Sequence, residues 1–236
     1  MLDVQDLDTR ADRLRHRRTH LPELVEIAAL EAERRRVDDE VRDARIAVDD
    51  LAAEQAKADS DVEAVRARQR RDQERLDTGS VGPKDLERIQ AELVSLARRI
   101  ASLEDTELEV MERQEEAQGR LTGAQERLEA VEHRLADLAA ARDAAFAEID
   151  AELVTLEAER GPVAEQVPDD LTALYERLRA AKDGVGAALL RARACGGCQL
   201  SVDAAELNTI RAAAPDEVVR CEECQRILVR TAESGL

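Results

Sequence analysis

Four cysteines carry the chemistry this sequence can do: Cys195 and Cys198, then Cys221 and Cys224. They form two C-x2-C pairs separated by 22 residues. A C-x2-C step bends the backbone into a tight knuckle that offers two thiolates to one ion. Two such knuckles surround zinc tetrahedrally at about 2.3 Å, leaving no position for water or substrate. The spacing predicts a single Zn2+ in a closed structural site, with Cys195, Cys198, Cys221 and Cys224 as its ligands. Metal binding then supplies folding free energy to the small segment around it. A dithiol redox pair is the competing chemistry, but no βαβ pattern surrounds either motif, as a thioredoxin-like site requires. His16 and His20, four residues apart, lack a nearby Cys or carboxylate set and read as surface histidines, and His133 is isolated.

The elements that must hold those thiolates are short. Residues 189–194, 218–220 and 227–230 read as strands, placing each knuckle at a strand end. Asp203 with Glu206 three residues on is a capping signature for a helix over about 204–213. Upstream, Asp169 and Asp170 suit the positive end of a helix whose apolar set is Leu171, Leu174, Tyr175 and Leu178. Tyr175 reads as a packing residue at the domain junction, with partner binding as its alternative role, and Lys182-Asp183-Gly184 as the close of the helix.

Before the ribbon, the chain is periodic. From Ile27 to Leu76 seam positions advance by alternating steps of three and four, most of them apolar with charged flanks. That is a heptad seam rather than the broad stripe of a helix on a globular core. Thr78-Gly79-Ser80-Val81-Gly82-Pro83 interrupts it, and the same rhythm restarts from Leu86 to Ile149. Laid antiparallel across this turn, Leu76 meets Leu86, Val65 meets Leu96 and Ile27 meets Leu135 without a slip. Gln55 then falls opposite Glu107, a polar layer that would fix register. A shorter run, Val4, Leu7, Ala11 and Leu14, loses phase at Leu21-Pro22 and is expected to complete the pairing near the hairpin base.

The fold class that follows is mainly α: a long, kinked antiparallel coiled-coil hairpin with a small C-terminal zinc-ribbon domain. The hairpin is expected over residues 1–160, with its turn near 78–83 and a kink near 22. A short helix and the C4 ribbon take residues 161–236, with Gly161-Pro162 ending the second long helix. Composition agrees. Aromatics are 1% of the 236 residues and charged residues 37%, a balance for helices packed along a narrow seam. The net charge of −18 excludes a protein that coats nucleic acid, which needs excess cations to displace counterions. No run approaches the ~18 apolar residues of a membrane span, and the first residues lack a secretory pattern. A cytoplasmic protein with no membrane role is expected.

The whole chain resembles the bacterial coiled-coil hairpin plus C4-type zinc-ribbon proteins, a group with flagellar and chlamydial members that bind the sigma-54 transcription factor. The resemblance rests on the Leu21-Pro22 step, the long hairpin, Cys195-Gly196-Gly197-Cys198, and Cys221-x-x-Cys224 running into Arg226-Ile227-Leu228. The family usually has Cys-Pro-x-Cys-Gly at the second knuckle, where this chain has Glu222 and Gln225; the usual glycine implies a mildly strained left-handed conformation for Gln225. The resemblance implies adaptor or chaperone-like binding of protein partners, with RNA binding in some members. No residue here identifies sigma-54 as a partner.

The leading functional expectation is a non-enzymatic interaction protein that binds an unidentified protein partner. No nucleophile–base set, phosphate loop or open metal site is legible. The alternative is RNA binding through the ribbon, with Arg191, Arg193, Arg226 and Arg230 lining one strand face. The absence of an aromatic platform for base stacking counts against it. Apolar positions off the seam, such as Leu108 and Leu153, read either as sporadic or as an interface.

Overall fold

The computed structural model describes residues 1–79 and 82–236. Among these described residues five helices and three strands follow in order: α1 Leu2–Thr19, α2 Pro22–Asp77, α3 Pro83–Ala164, α4 Asp169–Ala181, β1 Ala187–Arg191, β2 Ala194–Cys195, α5 Ala204–Ala212 and β3 Ile227–Val229. A short 3-10 helix, Ala232–Ser234, follows β3. The chain divides into two compact units, residues 26–138 and residues 1–25 with 139–236.

The first unit is an antiparallel helical hairpin. Its seam follows the heptad arithmetic. Leu30, Val37, Val41, Leu51, Val62 and Asp72 are the buried residues of α2, and all fall on the expected positions. On α3, Ile89, Leu96, Ile100, Val110, Ala117, Leu121 and Ala124 do the same. Val41, Leu121 and Ala124 form one cluster, flanked by Ala44, Val48 and Leu128. Arg127 reaches Glu40 at 2.6 Å and Arg113 reaches Glu54 at 3.0 Å across the pair. Exposed pairs of this kind contribute at most about 1 kcal/mol each; the seam supplies the stability and the ion pairs mark the register. Gln55 and Glu107 both lie half-buried on it, but Glu107 shares its hydrogen bond with Asp59. The pKa of Glu107 is raised, by loss of water and then by the neighbouring Asp59 carboxyl. Of the expected turn, Ser80 and Val81 lie outside the described residues; Gly79 at φ 64 and Pro83 opening α3 supply the turn chemistry around them.

In the second unit α1 packs on the last turns of α3 through Leu7, Ala11 and Leu156. Pro22 does not kink a continuous helix. α1 stops at Thr19, and Pro22 takes the first position of α2, where its missing N–H is no loss. Gly161-Pro162 does not end α3, which continues to Ala164. Pro162 costs that turn one hydrogen bond and is tolerated because the end is so near.

β1 lies between its neighbours in the order β2-β1-β3, antiparallel to β2 and parallel to β3. Residues alternate between two buried faces. Ala187 and Ile227 pack with Val4, Tyr175 and Leu178 of the base. Ala188, Leu190 and Leu228 pack with Val202, Leu207 and Ile210 of the ribbon. A strand covered on both faces reads as a continuous apolar run, which is why Ala-Ala-Leu-Leu stands there. The expected strand at 218–220 is instead irregular, joined to β3 only through a bridge from Arg220 to Ile227. The expected first strand starts two residues earlier and breaks at Ala192-Arg193, a two-residue turn with φ 46 and 62. Left-handed backbone at both central positions is the geometry that matches strand twist in a tight hairpin.

Candidate metal centre

The two knuckles are built alike. Cys195 N–H donates to the carbonyl of Leu200 at 2.9 Å, and Cys221 N–H donates to Arg226 at 3.0 Å. Gln199 N–H returns to the Cys195 carbonyl at 2.7 Å, and Gln225 N–H returns to Cys221 at 2.8 Å. Closing each loop requires left-handed backbone after its second cysteine, and both Gln199 and Gln225 sit at φ 63. The expectation for Gln225 is met, and Gln199 pays the same conformational cost. Gly196 and Gly197 are small for a separate reason. A Cβ at Gly196 would stand 2.9 Å from the Leu189 carbonyl oxygen, and one at Gly197 would stand 2.6 Å from Cδ of Arg226.

This backbone gathers the four sulfurs within 4.8 Å of one another. Across the knuckles, Cys195 Sγ lies 3.7 Å from Cys224 Sγ, and Cys198 Sγ lies 3.9 Å from Cys221 Sγ. A zinc–sulfur bond of about 2.3 Å implies a tetrahedron edge of about 3.8 Å. The donor set and its spacing therefore fit one structural zinc ion. Cys195 and Cys221 are buried in the ribbon core while Cys198 and Cys224 are half-exposed. Without the ion these thiols do not ionise together. Burial pushes the Cys221 thiol up to about 12, and burial raises Cys195 as well. Burial also opposes ionisation of Cys224, but hydrogen bonds from the Arg226 backbone and side chain outweigh it, leaving about 7. Zinc loading must displace protons from the buried pair.

The four arginines of the expected strand face divide by task. Arg226 donates from Nε to the Val185 carbonyl at 2.9 Å and from a terminal nitrogen to Lys182 at 2.9 Å. Arg230 closes the end of α5, donating to the carbonyls of Ile210 at 3.0 Å and Ala213 at 2.7 Å. Arg193 reaches the Gly235 carbonyl at 3.0 Å, and Arg191 pairs with Glu233 at 3.1 Å on the surface. Only Arg191 lies within a strand; Arg193 is in the turn, and Arg226 and Arg230 flank β3.

Below the ribbon lies a buried polar cluster that periodicity gave no reason to expect. Asp8, 4% exposed, accepts hydrogen bonds from Arg160 Nε at 2.7 Å and from the Tyr175 hydroxyl at 2.8 Å. Arg179 donates to Asp12 at 2.6 Å and stands 3.7 Å from Asp8, and Arg160 also reaches Glu176. Burial pushes the Asp8 carboxyl up, but Arg160, Tyr175 and Arg179 overcome it and hold it below the ordinary carboxylate value. Burial and the neighbouring Asp8 charge raise Tyr175, so its hydroxyl stays a donor. Gln5 completes the junction. Its amide oxygen accepts from the N–H of Gly186 at 2.8 Å and Ala187 at 3.2 Å, while its nitrogen donates to the Gly184 carbonyl at 3.0 Å. The sole signal in the sequence is an acid and an amide, Asp8 and Gln5, set beside the apolar positions Val4 and Leu7. His16 near the end of α1 and His20 just past it stack with ring centroids 3.9 Å apart, away from any metal-binding cluster among the described residues.

Comparison with known proteins agrees with this geometry. Residues 4–183 match the CT398-like coiled coil hairpin domain, and residues 194–228 match the C4-type zinc ribbon domain. An uncharacterized protein of Mycobacterium tuberculosis is 40% identical over 230 residues, 98% of this chain and 94% of that protein. A solved structure from Mycobacterium smegmatis superposes with a TM-score of 0.85 at 38% identity, covering 96% of this chain and 94% of the other. CT398 from Chlamydia trachomatis shares the fold, with a TM-score of 0.70 at 20% identity and the same coverage. No described helix is long and apolar enough to cross a membrane.

Proposed function

This chain belongs to the family of CT398-like coiled-coil hairpin proteins that carry a C4-type zinc ribbon, and from that premise we propose that it is a non-enzymatic adaptor or chaperone-like protein that binds protein partners. The observation that carries the reading is the saturation of its chemistry. Four thiolates fill the zinc coordination sphere, so the ion shapes a head rather than activating a substrate. The charges at the base are engaged as well: Arg160 and Tyr175 donate to Asp8, and Arg179 donates to Asp12. What remains is surface.

RNA binding through the ribbon is the alternative, and the geometry changes how it is tested. Arg226 and Arg230 hold backbone carbonyls, so their reversal would disturb the fold before it reported on RNA. Arg191 alone offers a largely exposed guanidinium on a strand. The experiment is affinity capture from the native cell with zinc-loaded full-length protein, with and without nuclease, beside a Cys221→Ser/Cys224→Ser variant. A partner retained in stoichiometric amount after nuclease treatment supports the adaptor reading. Recovery that vanishes with nuclease and with Arg191→Glu replaces it by the RNA reading.

A further inference from the structure

Within the hairpin unit, α3 carries a second face that the intramolecular seam does not use. Val94 is 54% exposed and Leu108 is 58% exposed, although both are large apolar side chains. They are separated by two heptads, with Ala101 midway and also exposed. At 100° per residue these three positions lie along one flank of α3, off the seam formed by the buried Leu96, Ile100 and Val110. Scattered exposed leucines need no explanation, but three apolar residues at heptad spacing on an otherwise charged face form a narrow stripe.

The charges along that stripe are segregated. On its N-terminal side stands Arg98, exposed and without an ion pair among the described residues. On its C-terminal side stand Asp105, Glu109 and Glu112, exposed and likewise unpaired among the described residues. Like ends of this pattern repel and opposite ends attract. A helix that is basic before its midpoint and acidic after it complements an antiparallel copy of itself.

We propose that residues 90–112 of α3 form an isologous self-association surface, and that its occupant is the same surface of a second copy of this chain. A two-fold axis beside Ala101 places Val94 of one copy against Leu108 of the other, twice. The same operation sets Arg98 against Asp105, again twice, because an isologous contact repeats every pair. Ala97 and Ala101 keep the centre shallow enough for close approach of the backbones. The surface ends near residues 90 and 112, since beyond them Glu87 would oppose Glu115. A partner helix of unrelated sequence would satisfy the apolar stripe; the antiparallel self-pair also brings Arg98 to Asp105 at both ends.

The experiment uses zinc-loaded full-length protein, in which the four native thiols are coordinated. Sedimentation equilibrium is run from about 10 µM to about 1 mM, where small apolar contacts associate, at low and high salt. A reversible dimer that weakens with salt is expected. Ala101→Cys forms a disulfide-linked dimer under mild oxidation, and Val94→Cys mixed with Leu108→Cys forms the heterologous cross-link. Asp105→Arg weakens dimerisation at least about tenfold because symmetry counts each lost pair twice, and adding Arg98→Asp restores most of it. These residues are exposed, so the variants keep the fold, checked by circular dichroism. A chain that is monomeric throughout the range overturns the proposal. So does a dimer that fails to cross-link through position 101, or a charge swap that does not rescue.

Discussion

Removing the carboxylate of Asp8 should loosen the whole base of the ribbon, and the geometry sets how much. The side chain is 6% exposed and accepts from Arg160 twice, at 2.7 and 3.1 Å, and from Tyr175 at 2.8 Å. Breaking a buried ion pair from one side costs about 3–5 kcal/mol, because the abandoned charge stays behind. Here Arg160 keeps Glu176, Arg179 keeps Asp12, and their side chains are 27% and 20% exposed. Water and these remaining partners put Asp8→Asn at the low end, about 3 kcal/mol. Tyr175→Phe removes one hydrogen bond to a charged group, about 1.5 kcal/mol. The two side chains touch, so the double variant should fall short of the sum by about 1 kcal/mol. Urea unfolding followed by circular dichroism, with hydrogen exchange in α1 and α4, measures all three. Tyr175 is the only tyrosine and there is no tryptophan, so in Tyr-containing variants its fluorescence reports this cluster alone. The pH dependence carries its own sign. Asp8 titrates lower folded than unfolded, so its contribution is present above its unfolded pKa and disappears as pH falls through the folded value. Asp8→Asn should flatten that acid limb. A cost below about 1 kcal/mol, or strict additivity with Tyr175→Phe, would refute the coupling.

Zinc removal by a chelator should unfold the ribbon while leaving most of the helical circular dichroism, since α2 and the bulk of α3 lie outside it. Retention of zinc against a chromophoric indicator should fall as pH drops, because protons compete with the ion for its thiolate ligands. Gln225→Gly relieves a left-handed backbone at φ 63 but gives up the side-chain bond to the Glu222 carbonyl; a net gain of about 0.5–1 kcal/mol in ribbon stability is expected from chelator-dependent unfolding. Gly186→Ala should cost about 1–3 kcal/mol, since the new Cβ would stand 2.6 Å from the Tyr175 carbonyl oxygen. A thermal melt with zinc in excess measures it.

The parts of this molecule that could be read in advance share one property: their signal is local or periodic. Cysteine spacing is visible without knowing what lies between the pairs. The heptad seam repeats often enough that its register across the turn follows by counting, and Asp203 caps α5 by accepting from Glu206 N–H at 2.8 Å. Gln225 stood out because a glycine is usual there, whereas Gln199 did not, although the two occupy the same conformation. The illegible parts depend on long-range pairing. Nothing in the sequence near Asp8 names Arg160 or Tyr175 as its partners. Arg226 and Arg230 read as surface charge because long side chains that cap distant carbonyls look the same in sequence as solvated ones. Residues 218–220 have strand composition, but the metal knuckle that follows leaves room for one bridge only.

The bond between Arg160 and Asp8 joins residues 152 positions apart, and that separation has a temporal consequence for the cell. A ribosome adding about 5–20 residues per second delivers α1 roughly 8 to 30 seconds before the helix turn that will cover it. Throughout that interval Val4, Leu7 and Ala11 travel uncovered, and a nascent chain so exposed must be sheltered or must wait. Any lesion that stalls synthesis inside α3 would release a truncated product whose first helix has lost its mate, a ready substrate for quality-control proteases.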